Sequence, residues 1–309
     1  MTEISAARAA AALIGEHCVL HAPLGARTTY RVGGTADAFL VAEGDEDLAR
    51  VAAAVRATGV SVLVVGKGSN LLVSDAGFRG LALALGQAFT TIDIGEGTVR
   101  VGGATDLPVL ARRTAMAGWR GLEWAVGVPG SVGGGVRMNA GGHGSDVAER
   151  LRKVRIFDVA TGQDGVVVAA DLDLGYRRSN LGPNHVVVWA EFDVHPGDPQ
   201  EAGAEVSKIV RWRRQHQPGG QNAGSVFTNP PDDSAGRLIE LAGGKGLRMG
   251  TAKVSAKHAN FIQADAGGSA DDVLALIQEV RRRVLRTTGV ELVPEVRLVG
   301  FPSATVASS

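Results

Sequence analysis

Cysteine is nearly absent from this chain. Cys18 is the single thiol in 309 residues, so no internal disulfide framework is possible and the sequence fits a reducing compartment. A lone thiol of this kind reads as a small buried hydrophobe. Net charge is absent as well: Lys+Arg and Asp+Glu both number 32, which leaves no global basic field to hold a nucleic-acid backbone. No run of about 18 apolar residues occurs, so no membrane-spanning helix is expected. The opening stretch MTEISAARAAAALIGEH has no basic n-region and no secretory cleavage pattern; Glu3, Arg8 and Glu16 flank its Ala-rich run, which reads as an amphipathic helix. Seven histidines lie scattered without ligand spacing, and with one cysteine no zinc site can be assembled, so no catalytic metal is expected.

Apolar residues make up 45% of the chain, enough for a substantial core and two or three domains. Glycine, at 43 residues, is about twice as frequent as usual. It clusters at 66–68, 127–135, 141–144 and 243–250, which marks backbone that turns tightly or approaches a ligand. Residues 45–58 open with acidic side chains, repeat apolar residues at helical spacing and stop at Gly59, predicting a capped helix. Strand-like runs follow at 61–66, 81–85, 90–94 and 99–103, then a helix at 107–118, strands between 153 and 195, and a helix at 199–215. The Gly/Pro/Asn/Asp-rich stretch 217–236 reads as loop. Ser269 and Asp272 stand at capping-box spacing before a helix that ends at Gly289. A strand is expected over the apolar residues that follow, and SATVASS as a frayed tail.

Two glycine-rich stretches carry the chemical signal. In VLVVGKGSNLLVSD (62–75) a strand ends in Gly66, Gly68, Ser69 and Asn70, where successive backbone N–H groups can form an anion nest for a pyrophosphate; the alternative is an ordinary turn. In GLEWAVGVPGSVGGGVRMNAGGHGSD (121–146) apolar residues interleave with the glycines. That density demands burial and excludes a flexible linker. Met138 stands where the third Gly of GxGxxG belongs, and in GGKG (243–246) Gly246 replaces the Ser or Thr of a P-loop, so both nucleotide fingerprints fail. Trp119, Trp124, Trp189 and Trp212 read as core or cofactor-neighbouring residues, since a stacking platform for bases needs a basic groove.

Seven motifs, TTYRVGG (28–34), VGKGSNLLVSD, GLEWAVGVPGSVGG with RMNAGG, LGYRRS (174–179), NAGSVFTNP (222–230), KVSAKHANFI (253–262) and PEVRLVG (294–300), stand in an order and rough spacing that resembles the UDP-N-acetylenolpyruvoylglucosamine reductases. The resemblance runs from about residue 20 to 301 and looks like the shorter subtype, without an extra tyrosine loop. It implies an α+β protein with a two-lobed FAD-binding module of the vanillyl-alcohol-oxidase/p-cresol-methylhydroxylase type and a smaller α+β substrate-binding domain. The expected division is residues 1–85 with 291–309 as the first FAD lobe, 86–206 as the second, and 207–290 as the substrate domain.

The same resemblance implies NADPH-dependent reduction of UDP-N-acetylglucosamine enolpyruvate through non-covalent FAD, a step of peptidoglycan precursor synthesis, in a cytoplasmic monomer that meets neither membrane nor nucleic acid. Its implied cofactor residues are Gly66, Lys67, Gly68, Ser69, Asn70 and Leu71, then Gly127, Pro129, Gly130, Ser131, Gly133 and Gly134, with Asn139 and Gly141. Ser225 corresponds to the proton donor, Arg177 to an arginine that forks onto the enolpyruvyl carboxylate, and Glu295 to a glutamate that polarises the same carboxylate. A glutamate in that position has its pKa raised, because like charges at close range disfavour joint ionisation. Tyr176, Asn229 and Lys257 are substrate-side candidates. Where many members carry lysine, this chain has His216 and Thr228, so two cations are missing. Taken without the resemblance, Ser225 reads as a turn residue, Arg177 as a solvated arginine and Glu295 as an outward strand position. Two other readings stay open: an FAD-linked sugar or hydroxy-acid oxidase or dehydrogenase of the same fold, and a flavin-binding module without turnover.

Overall fold

The computed structural model describes residues 3–302; the expected frayed tail lies outside them. The chain divides into two compact units, the first made of residues 1–21, 37–67 and 79–213, the second of 22–36, 68–78 and 214–309. The second unit thus gathers chain segments that the sequence expectation divides between the first lobe and the substrate domain.

Two larger sheets build the first unit, beside two two-stranded ones. Strands Val19–Ala22, Ala36–Ala42, Phe78–Leu85 and Val62–Val64 lie side by side in that order, with helices α1 (Glu3–Ile14) and α2 (Asp45–Thr58). Helix α2 starts with three acidic residues that favour its positive dipole end and stops at Gly59, whose φ of 67° closes the last turn. The side chains of both helices meet Leu40, Leu81 and Leu83 in one apolar core. Cys18 packs at the edge of this core, half-buried rather than enclosed, and burial pushes its thiol pKa up against the opposing hydrogen bond from the Phe39 backbone.

The second sheet of this unit has five strands, ordered Asp164–Val168, Leu151–Asp158, His185–Asp193, Thr98–Gly102 and Ile92–Ile94, and every pairing is antiparallel. His185–Asp193 is buried on both faces. Val186 and Val188 join the core of the first sheet, whereas Val187, Ala190 and Phe192 join a separate core with helices α3 (Leu107–Met116) and α5 (Pro199–His216). Trp124 is enclosed there, in keeping with a core role, and Trp119 packs against the same core.

Between α3 and α5 the run VGGGVRM forms a short helix, α4 (Val132–Met138), which sequence periodicity does not announce. Ser131 caps it by accepting from the Gly134 N–H. A Cβ on Gly133 would stand 3.2 Å from the Gly103 carbonyl and one on Gly135 3.0 Å from Leu107, so the glycines let this helix lie against its neighbours.

In the second unit, helices α6 (Ala235–Leu241) and α7 (Ala270–Thr288) share a core with the antiparallel strands Arg248–Met249, Ala252–Val254 and Ile262–Ala264. Leu71–Val73 pairs in parallel with Arg297–Val299 and delivers Leu72 into that core beside Tyr30 and Val32. The C-terminal strand is confined to these three residues instead of the longer run expected, because Pro294 has no N–H to donate and the Glu295 N–H is spent on the Val226 carbonyl. The capping box of α7 is also half formed: Ser269 accepts from the Asp271 and Asp272 N–H groups, but the Asp272 carboxylate turns to Thr251.

Candidate functional site

The first unit contains a cavity of about 310 Å³ where its two larger sheets approach, within the size range of small-molecule sites. Two separate motifs of the sequence reading line it, Gly66 and Lys67 after the strand Val62–Val64, and Ser131, Gly133 and Gly134 at the start of α4. A Cβ on Gly66 would come within 2.4 Å of the Ser131 hydroxyl, so any side chain there would fill the cradle. The walls include Val65, Leu85, Val186 and Val187. Sequence reasoning missed Gln87, Thr90, Arg137 and His185, which also line it. Only Arg137 had a signal, its place in RMNAGG; Gln87 opens the 3-10 turn after Phe78–Leu85, Thr90 caps it and His185 opens a strand, and no motif joins them.

The two glycine stretches have different chemistry. In α4 the N–H groups of Val132, Gly133 and Gly134 are taken by Thr105 O, Gly103 O and Ser131 Oγ at 2.8, 2.9 and 3.3 Å. By contrast, among the described residues no protein acceptor meets the N–H groups of Gly66 and Lys67 in the first unit, or those of Gly68, Ser69 and Asn70 in the second. In the first unit the backbone N–H groups without a protein acceptor are therefore those of Gly66 and Lys67, and the α4 glycines contribute close approach. Lys67 is held by Asp106 at 2.8 Å. Gly68 has a φ of 62°, and a Cβ there would meet the Arg27 carbonyl at 2.7 Å. Asn70 Nδ2 donates to the Glu295 carbonyl at 3.0 Å, and Leu71 opens the parallel strand pair.

The other cofactor candidates of the first unit do not line this cavity. Gly127 makes room for the His143 ring, whose Cδ2 would lie 2.5 Å from a Cβ; that ring meets Trp212 edge-on at 5.1 Å. Burial and then the Arg213 charge lower the His143 pKa. Pro129 is exposed, and the Gly130 carbonyl accepts from Leu107 N. Asn139, 2% exposed, sits at φ 40°, ψ 56° and spends its whole amide on protein: Nδ2 donates to Asp146 Oδ2 at 3.1 Å and Gly175 O at 3.0 Å, and Oδ1 accepts from Ala148 N at 2.8 Å. Gly141 pairs with Asp146, and its carbonyl accepts from Arg177 Nη2 at 3.0 Å.

Tyr176 and Arg177 are the central residues of a tight turn closed by mutual backbone bonds of Gly175 and Arg178 at 3.1 Å. Arg177 has a φ of 57°, a conformation uncommon outside glycine, and its guanidinium lies 5.0 Å from the exposed Tyr176 ring. Asn139 thus holds the backbone at the start of this turn, and Gly141 holds the Arg177 guanidinium itself.

In the second unit, Gly224 at φ 77° turns the chain into Ser225. The Ser225 hydroxyl is half-exposed and has no hydrogen-bond partner among the described residues. Immediately after it, Val226 O accepts from Glu295 N at 2.7 Å, Phe227 bridges Pro294, and Thr228 N donates to Val293 O at 3.0 Å. The backbone therefore brings Ser225 and Glu295 into one corner, which Asn260 supports from behind by bonding both backbone groups of Phe227. Asn229 accepts from Ala235 N at 3.0 Å, and Lys257 Nζ donates to the Arg214 carbonyl.

Residues 36–166 match the family described as FAD binding domain, and residues 215–299 match UDP-N-acetylenolpyruvoylglucosamine reductase, C-terminal domain. The UDP-N-acetylenolpyruvoylglucosamine reductase of Heliobacterium modesticaldum is 43% identical over 281 residues, covering 90% of this chain and 89% of that protein. The crystal structure of the UDP-N-acetylenolpyruvylglucosamine reductase of Thermus caldophilus superposes with a TM-score of 0.79 at 36% identity, over 91% of this chain and 98% of that one. BBE-like 1 of Physcomitrella patens, at 13% identity, shares the fold with a TM-score of 0.58 over 99% of this chain and 93% of that one.

Proposed function

The chain belongs to the UDP-N-acetylenolpyruvoylglucosamine reductase family, and from that premise we propose that it reduces UDP-N-acetylglucosamine enolpyruvate to UDP-N-acetylmuramate in peptidoglycan synthesis, with NADPH as electron donor and FAD as cofactor. The fold is the FAD-binding module of the vanillyl-alcohol-oxidase type joined to the family's C-terminal domain. FAD, when bound, carries the hydride from NADPH to the enolpyruvyl group.

The chain's own residues hold the cofactor and manage the proton. Gly66 and Lys67, and after them Gly68, Ser69 and Asn70, offer their unused N–H groups to the pyrophosphate. Ser225 gives its hydroxyl proton to the carbon that gains negative charge beside the carboxylate. Glu295 polarises that carboxylate, and Arg177 neutralises charge developing on it. Tyr176, Asn229 and Lys257 are the proposed substrate-side residues, with Leu71, Gly127, Pro129, Gly130, Ser131, Gly133, Gly134, Asn139 and Gly141 shaping the cofactor site. The first-unit sheets form the two FAD lobes, split near residue 86, and the reaction runs in the cytoplasm in a monomer. No helix of the described residues is long and apolar enough to cross a membrane.

The observation that supports the assignment of the proton donor is the backbone pairing of 226–228 with 293–295, together with a Ser225 hydroxyl that has no hydrogen-bond partner among the described residues. The test is NADPH consumption that depends on the enolpyruvyl substrate, with UDP-N-acetylmuramate identified by mass. Substrate-independent consumption, or oxidation of an alcohol substrate instead, would overturn the reading.

A further inference from the structure

His185 opens the buried strand His185–Asp193 and lines the cavity of the first unit, yet no motif contains it. Gly182, Pro183, Asn184 and His185 form a turn in which the His185 N–H donates to the Gly182 carbonyl at 3.3 Å, and Pro183 supplies the fixed φ suited to its second position. The side chain then folds back: the Gly182 N–H donates to His185 Nδ1 at 3.0 Å. An acceptor at Nδ1 fixes the neutral tautomer, so the ring proton sits on Nε2. The same Gly182 carbonyl also accepts from Arg137 Nη1, and the Arg137 carbonyl accepts from Ser179 Oγ at 2.7 Å. Gly182 thus holds two cavity-lining side chains, His185 through its N–H and Arg137 through its carbonyl.

The cavity has an apolar wall of Val64, Val65, Leu85, Val186 and Val187 beside a polar side with Arg137 and with Lys67, which Asp106 pairs. A flat heterocycle suits the first and phosphate the second. At about 310 Å³ it holds a nucleotide half of FAD rather than the whole molecule. The ring joined to the phosphates through the shorter ribose link is adenine. We propose that His185 is a specificity-determining residue for the adenosine half of FAD, donating from Nε2–H to it, with Arg137 placed on the phosphate side through the residue both contact, Gly182. The assignment rests on the FAD reading above and adds to it which end of the cofactor this cavity takes.

The experiment uses purified holoprotein of wild type, His185→Ala, His185→Gln and His185→Asn, with FAD dissociation read by recovery of flavin fluorescence. Deflavinated protein then reports competition by ADP or by FMN. Glutamine restores a donor near Nε2, and asparagine restores only the acceptor at Nδ1. His185→Ala is expected to weaken FAD and ADP by about tenfold, equivalent to about 1.4 kcal/mol, and to leave FMN unchanged. His185→Gln stays within about threefold of wild type, and His185→Asn does not. Unchanged FAD affinity in His185→Ala, rescue by asparagine alone, equal loss in all three variants, or a loss in FMN instead of ADP would each overturn the assignment. If the alanine variant fails to fold, the glutamine and asparagine pair decides it. Wild type that binds no FAD would undo the functional reading itself, an outcome distinct from any of these.

Discussion

Asn139→Ala tests whether one amide organises the segment that carries Arg177. The side chain makes three hydrogen bonds inside the first unit, at 2.8, 3.0 and 3.1 Å, and is 2% exposed. Truncation orphans the Ala148 N–H and a lone pair of Gly175 O, at about 1 kcal/mol for each lost bond. Alanine at φ 40° adds about 1 kcal/mol of left-handed strain, for a total of about 4 kcal/mol. Asn139→Gly loses the same bonds but accepts that backbone, so it should be about 1 kcal/mol more stable than Asn139→Ala. Urea unfolding followed by tryptophan fluorescence reads the effect where it occurs, since Trp119, Trp124, Trp189 and Trp212 all lie in the first unit. A loss under about 1 kcal/mol in Asn139→Ala, or a glycine variant no better than alanine, would refute the reasoning.

Tyr30→Phe should leave stability unchanged or raise it by up to about 1 kcal/mol in urea titrations, because the hydroxyl is fully buried without a partner among the described residues; a clear loss would mean that it has one. The Asp272 carboxylate is held below its ordinary value by the Thr251 N–H and hydroxyl. A depressed folded pKa gives stability that is present above the ordinary carboxylate value and is lost as pH falls through the folded one. Asp272→Asn should therefore flatten the fall of the urea midpoint between pH 5 and pH 3, followed by circular dichroism; an undiminished fall would contradict this. Ser225→Ala should leave flavin reduction by NADPH nearly intact and slow reoxidation by the enolpyruvyl substrate, whereas an equal fall in both half-reactions would remove Ser225 as the specific proton donor.

Elements with strong local signals were legible in the sequence. Acidic starts and terminal glycines mark α2 and α7, and both end on left-handed glycines at 59 and 289 as expected. Helix α4 was not legible, since three consecutive glycines carry no apolar period, although Ser131 before them is a capping signal. The C-terminal strand was overread because apolar composition alone does not reveal that Glu295 N is claimed by the Val226 carbonyl. The same limit governs the site. Gly66 and Ser131 advertise themselves through glycine and turn chemistry, but Gln87 and Thr90, at the two ends of a 3-10 turn, and His185, at a strand start, enter the cavity only through the tertiary fold. Ser225 and Glu295 are 70 positions apart, and only the backbone pairing of 226–228 with 293–295 makes them neighbours.

The most direct test of the account is anaerobic stopped-flow absorbance of the flavin in the purified protein, mixed first with NADPH and then with UDP-N-acetylglucosamine enolpyruvate. The account predicts bleaching by NADPH and rapid recovery that depends on the enolpyruvyl substrate. A flavin that bleaches and never recovers with that substrate, or a protein that carries no flavin, would contradict it.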